Sequence, residues 1–297
     1  MKQRIAVKRE PVPFLYVGPV VLFSGFILYF CIAFTIRISL SDWNGLDPVL
    51  GFVGLDNFIQ LFSDPVFWTA LVNNLLFMVA TVSIQAALGL LIAVLLCRHP
   101  PFATFFKSMF FIPVIMAPVI ISAIFRIIMD PNVGSLNVLL RALHMDFLAV
   151  SWLGDPRFSL VSVIIVNIFE WTGFSMILYY AGLLAIPAEI YESARLDGAG
   201  FFTTLVKITF PMLKGTTNSI IVLGIVGSLK TFDIVYMLTN GGPGVSSEVL
   251  TTFLYKRAFE EFNSGYASAT GVVILILAAV MSAIQIRSYN ESKRKDG

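Results

Sequence analysis

The sequence predicts an all-α polytopic membrane protein with six transmembrane helices. Three observations predict it. Of 297 residues, 57% are hydrophobic and only 13% are charged, about half the charge of an average soluble domain. The mean hydropathy is +0.85. The apolar residues also gather into stretches of about 20 or more, the length that crosses a bilayer as a helix. An ordinary water-soluble enzyme is excluded, because so few charges cannot cover its surface. A net charge of +2 with scattered basic residues excludes a nucleic-acid binder. Cys31 and Cys97 lie in apolar stretches and form neither a disulfide framework nor a zinc spacing.

The six stretches are residues 14–36, 71–96, 109–128, 160–184, 216–238 and 266–286. They are apolar all round rather than alternating. Helices, not the strands of a barrel, therefore satisfy their backbones in lipid. The first is too long for a signal peptide and lacks a small-residue cleavage site, so a retained helix is expected. Residues 1–13 form an N-terminal segment, 14–286 one membrane domain and 287–297 a tail. No hydrophilic segment is long enough for a second domain, and no repeat is evident. An even number of spans puts both termini on one side. Thirteen lysines and arginines fall on that side and five opposite. Arg126 and Lys230 lie inside spans, which accounts for all 20. The excess favours cytoplasmic termini. The outer loops are then the longer ones, with turn residues at 41–44 and 240–244.

Much chemistry is missing. With no Gly-Lys pair there is no GxxxxGK[ST] phosphate loop, so any ATP that drives this chain binds elsewhere. Gly198-Ala199-Gly200 opens like a dinucleotide fingerprint, but Thr203 stands at the third glycine position and no strand precedes it. His99 and His144 lie outside the spans without partners at ligand spacing; they read as loop histidines. There is no GxSxG elbow, and no histidine in a span to serve an intramembrane serine.

The most informative segment is 186–215, IPAEIYESARLDGAGFFTTLVKITFPMLKG. Pro187 suits a first helical turn, and Glu189 and Glu192 favour its positive end. Tyr191 and Arg195 lie one turn apart, as do Ile190 and Ala194, so the helix has distinct faces. Asp197-Gly198 ends it, because glycine takes the left-handed conformation of a helix stop. A second short helix over 201–210 is expected to break at Pro211. By pattern alone the segment is either a generic amphipathic helix at the membrane surface or a docking element.

Glu192-Ser193-Ala194, three residues, Gly198, nine residues and Ile208-Thr209-Phe210-Pro211 resemble the EAA signature of ABC importer permeases, E-A-A-x3-G-x9-I-x-L-P. The spacing is complete; Ser193 and Phe210 replace alanine and leucine. Residues 191–199, YESARLDGA, are similar to the carbohydrate branch, which includes the maltose and glycerol-3-phosphate permeases. Two further patches agree, FDIVYMLTNGGP at 232–243 and GYASA at 265–269. The Gly-Gly-Pro loop resembles the first permease of a heteromeric pair. Unlike the maltose member, this chain shows no large extra external domain.

The resemblance covers residues 14 to about 286. It implies the ABC type I importer permease fold and a bacterial cytoplasmic membrane location. It also implies a second homologous permease, two ATPase subunits and an external solute-binding protein as partners, with a sugar as substrate. ATP and magnesium belong to the ATPase; this chain has no cofactor, metal or catalytic residue. Glu192, Ser193, Ala194, Arg195, Asp197 and Gly198 are then the coupling residues, with a merely solvated face as the alternative for the charges among them.

Four ionisable residues fall at membrane depth: Arg126, Glu170, Lys230 and Asp233. Each costs roughly 2.5–3.5 kcal/mol or more at the bilayer centre, so each is expected to face protein or water. Lys230 and Asp233, three apart, are expected to pair on one helix face. Arg126, near a span end, is expected to snorkel. Glu170 with Asn167 and Trp171 forms either a sugar site or an interhelical polar contact. By registration on the two motifs, the resemblance puts pathway-lining positions at Asn167, Glu170, Trp171, Phe174, Gly224, Gly227, Ser228 and Thr231. Glu170, Trp171, Gly224 and Gly227 depart from the maltose-type lining. Two alternatives remain: the same machine carrying a non-sugar solute such as glycerol phosphate, and an ion-coupled secondary transporter that uses Glu170, Lys230 and Asp233.

Overall fold

The computed structural model describes residues 12–98 and 100–295. Most of the expected N-terminal segment, His99 and the last two residues lie outside them. The described residues are mostly helical. Helix α1 (Val12–Ser39) leads into a two-residue antiparallel ribbon, β1 (Ser41–Asp42) with β2 (Gly51–Phe52), and the short α2 (Asp56–Ser63). Then come α3 (Pro65–Arg98), α4 (Pro100–Ile115), α5 (Pro118–Ile128), α6 (Ser135–Ala142) and α7 (Ser159–Leu184). Helices α8 (Ala188–Leu196), α9 (Phe201–Thr204) and α10 (Phe210–Met212) form the connection to α11 (Lys214–Leu229). The chain closes with α12 (Asp233–Thr239), α13 (Leu250–Tyr255) and α14 (Ser264–Lys295). Helix α14 runs through residue 287 without a break.

Among the described residues, four segments are single helices long and apolar enough to cross a membrane: Val17–Ser39, Pro65–Cys97, Ser159–Leu184 and Ser264–Arg287. Two bent pairs, Ala103–Ile115 with Pro118–Ile128 and Phe201–Met212 with Lys214–Leu229, bring the number to six if each is one span. On α1, side chains such as Leu22, Phe23, Phe26 and Tyr29 stand exposed on every side. A continuous apolar surface of this kind has hydrocarbon as its solvent.

The third and fifth expected spans are not straight helices. The third bends by 98° between α4 and α5. Ala117 is extended there, with φ −64 and ψ 135, because Pro118 disfavours the helical conformation in the residue before it. The fifth stops at Leu229, and α12 begins at Asp233. Side chains satisfy the carbonyls that this break frees. Asn74 Nδ2 donates to the Ser228 carbonyl at 3.1 Å, and the Thr251 hydroxyl donates to that of Thr231. Interrupted backbone at membrane depth requires such partners. The break also removes the helix face on which Lys230 and Asp233 were expected to pair, and no ion pair joins them.

A third correction concerns Pro211. The chain turns by 68° at Leu213, not at the proline. Pro211 sits in the first turn of α10, after a wide turn of π geometry over Leu205–Thr209. Wider helical spacing there relieves the clash between a proline ring and the preceding turn.

Helix α7 lies at the centre, packed on α3, α4 and α12, while α11 packs on α3 and α14, and α1 on α14. Glycines set the closest approaches. A Cβ on Gly89 of α3 would stand 2.8 Å from Ser175 Cβ and 2.9 Å from the Met176 amide of α7. A Cβ on Gly173 of α7 would fall on the Phe110 carbonyl of α4. Two of the three apolar clusters among the described residues lie along α7. One joins Phe77, Ile121, Val163, Val166 and Val235; the other joins Ala93, Met176, Tyr179, Leu183 and Ile220, nearer the α8 connection.

Gly89→Ala forces α3 and α7 apart and should destabilise the chain by about 1–3 kcal/mol, as overpacking does. Gly25→Ala in α1, where an added Cβ meets nothing within 4 Å, should be neutral. Thermal unfolding of the two purified variants in one detergent checks the contrast.

Candidate functional site

Between the two apolar clusters, α3, α7 and α11 present polar side chains to one another around a cavity of about 350 Å³. All eight positions expected to line a pathway surround it. Asn167, Glu170, Trp171 and Phe174 come from α7, Gly224, Gly227 and Ser228 from α11, and Thr231 from the break that follows. Asn167 and Trp171 share one helix face, as their spacing of four requires. Trp171 is 40% exposed, whereas Glu170 beside it is 2% exposed. The Trp171 and Phe174 rings meet edge to face with centroids 6.0 Å apart.

Two further sets of residues join the lining. Thr81 and Gln85 of α3 enter from the opposite side, and Lys230, Phe232 and Asp233 come from the break itself. Thr81 and Gln85 lie one turn apart in a mostly apolar stretch, so they share one helix face. Gln85 Nε2 donates to Asn167 Oδ1 at 3.0 Å and to the Asn167 carbonyl at 3.2 Å. Asn167 is therefore both an interhelical contact and a cavity wall. Arg126 lies elsewhere, exposed in the last turn of α5. His144 falls in the turn after α6 with φ +56, and Cys31 is exposed on α1; neither lines the cavity.

Aromatic faces, two amides, hydroxyls and carboxylates around one small space can grip a polyol ring. The ring's apolar face stacks on indole or phenyl, and its hydroxyls find both donors and acceptors. Nothing here resembles a nucleophile with its base. Among the described residues no group of His, Cys, Asp and Glu is arranged to hold a metal.

The end of α7 leads directly to α8. Pro187 caps that helix from outside, one position before its first turn, with φ −57 and ψ 137. Glu189 occupies the first turn, and Glu192 lies one turn further along. The stop is built as the spacing predicts. Gly198 has φ +73, its N–H donates to the Arg195 carbonyl at 3.1 Å, and the Ala199 N–H donates to the Ala194 carbonyl at 2.9 Å. These are the two bonds of a Schellman stop. Ala194 is buried and Tyr191 half-buried, with the Tyr191 hydroxyl 3.4 Å from that of Thr209. Glu192, Ser193, Arg195 and Asp197 face outward, so the serine that replaces alanine disturbs no packing. Leu196, unremarked in the sequence, is 90% exposed.

The family described as the binding-protein-dependent transport system inner membrane component matches the chain over residues 55–288. The chain belongs to this family. It is a multi-pass membrane permease, a transport component rather than an enzyme. It is 38% identical over 286 residues to the probable ABC transporter permease protein YurN of Bacillus subtilis, covering 96% of this chain and 98% of that relative. It is 33% identical over 285 residues to the lactose transport system permease protein LacF of Rhizobium radiobacter, with 94% of each covered. Among solved structures it is similar to a chain of a bacterial ABC transporter involved in the import of the acidic polysaccharide alginate. The TM-score there is 0.82 at 21% identity, over 96% of this chain and 97% of that one. That likeness establishes the shared permease fold.

Proposed function

We propose that this chain is one transmembrane subunit of an ATP-driven, binding-protein-dependent importer of sugars or oligosaccharides. One observation carries the reading. Helix α7 carries the polar, aromatic-lined cavity over residues 167–174 and continues, through three residues, into the exposed and firmly stopped α8. A lever needs a stiff element joined at one end to the cargo and presented at the other to a motor. The lactose permease relative and the alginate transporter support saccharide cargo.

The chain works beside a second, homologous permease and two ATPase subunits that hold ATP and magnesium, and a solute-binding protein delivers the sugar from outside. Both termini lie in the cytoplasm of a bacterial cell, on the charge asymmetry of the loops. Closure of the ATPase dimer presses on the outward face of α8, where Glu192, Ser193, Arg195 and Asp197 stand and Leu196 offers an apolar anchor. Gly198 fixes where the helix stops. The push passes along α7 to the cavity walls. Reconstituted uptake that requires ATP and the partner chains supports this reading. Uptake by this chain alone on a proton or sodium gradient overturns it.

Glu192→Lys inverts the charge of the docking face, and Gly198→Val puts a β-branched residue where φ is +73. Each should cut sugar uptake at least about tenfold, a loss of 1.4 kcal/mol or more in coupling, while the subunits still assemble and ATP is still hydrolysed. Normal uptake in both at equal membrane abundance would refute docking through α8.

At the cavity, Trp171→Ala removes the apolar plate and Asn167→Ala removes the amide. Uptake over a panel of sugars should slow or change preference in each, with all subunits still copurifying. Unchanged rate and preference in both variants would leave these residues a packing role only.

A further inference from the structure

Two carboxylates, Glu170 and Asp233, and one ammonium group, Lys230, line the 350 Å³ cavity. None of them forms an ion pair among the described residues. Glu170 is 2% exposed, with the Trp171 side chain as one hydrogen-bond donor beside it and the Asp233 carboxylate near enough to act on it. The other polar groups of the wall, the amides of Gln85 and Asn167, the indole of Trp171 and the hydroxyls of Thr81, Ser175, Ser228 and Thr231, are neutral. A buried carboxylate demands donors. Sugar hydroxyls supply them and an amino group supplies more, whereas a carboxylate or phosphate supplies repulsion at close range. Lys230 does not reverse the balance: it is one against two, and while it and Asp233 both stand exposed at the break, the group buried in the wall is the Glu170 carboxylate.

Resting on the reading of this cavity as the sugar site, we propose that it admits sugars that are uncharged or carry an amino group and turns away acidic ones, both uronates and sugar phosphates. The alginate transporter, involved in the import of an acidic polysaccharide, shares the fold at 21% identity. Selection by charge is a property of the side chains that line the space, not of the fold. Within this reading, glycerol phosphate is not the cargo.

Equilibrium binding to the assembled transporter in nanodiscs, without its binding protein, tests the proposal. The probes are maltotriose, the amino trisaccharide of chitosan and trigalacturonate, similar in size and different in charge. The first two should compete for one site that Trp171→Ala weakens. Trigalacturonate should bind at least about tenfold more weakly. Glu170→Gln should raise the ratio of trigalacturonate to maltotriose affinity about tenfold, and Glu170→Asp, which keeps the charge, should not. Equal affinity of the wild type for the acidic and neutral probes overturns the charge selection, as does a ratio unmoved by both Glu170→Gln and Asp233→Asn. Binding of the neutral probe that Trp171→Ala leaves unchanged, or no binding of any probe, instead overturns the cavity as the sugar site and the selection with it.

Discussion

At Gly89 the backbone of α3 comes so near to that of α7 that no side chain fits between them, and at Gly173 the same holds between α7 and α4. In hydrocarbon, helices gain nothing by hiding apolar surface from one another, since lipid tails are as apolar as leucine. They associate by dispersion contact and by hydrogen bonds, and both need close approach. The glycines give α7 that approach on two flanks. Once α3, α7 and α4 are locked, the positions of Gln85, Asn167 and Glu170 are fixed relative to one another. The cavity is the level at which side chains stop being apolar, held open between two clusters that close tightly above and below it.

The second requirement is that broken helices keep their hydrogen bonds. The carbonyls of Ser228 and Thr231, freed where α11 ends, are met by Asn74 and Thr251 from other elements. That arrangement allows Lys230, Phe232 and Asp233 to leave the helical path and face the cavity. A straight helix would have turned part of that set toward lipid, where the charges are costly. Break, cavity and satisfied carbonyls form one device.

Much of this architecture is legible in the residues. Hydrophobic run length locates the four single long apolar helices and both bent pairs, because the bilayer imposes a minimum length on any helix within it. The glycine spacing after Glu192 locates the helix stop, because a left-handed residue there is a local requirement. All eight lining positions surround one cavity because two motifs register α7 and α11 from either side. The breaks at Ala117 and Lys230 are not legible from apolar counts, since a run of hydrophobic residues reads alike whether its backbone is continuous or interrupted. Pro118 marks the first break in hindsight. The second depends on Asn74 and Thr251, which are distant in sequence. Thr81 and Gln85 form a polar stripe along α3, but Asn167, the partner of Gln85, lies on another helix.

Helix α1 packs chiefly on α14, so the first and last membrane segments of the chain are neighbours. Next to them the Gly265 N–H donates to the Trp43 carbonyl at 2.9 Å, again joining one end of the sequence to the other. During synthesis the N-terminal helix enters the bilayer long before its neighbour exists. It tolerates the wait because its span is predominantly apolar, and side chains such as Leu22, Phe23, Phe26 and Tyr29 need no protein partner in lipid. The bundle is therefore closed by its last segment. A ribosome that stalls before residue 264 leaves an inserted chain with its central helices present and its seam open.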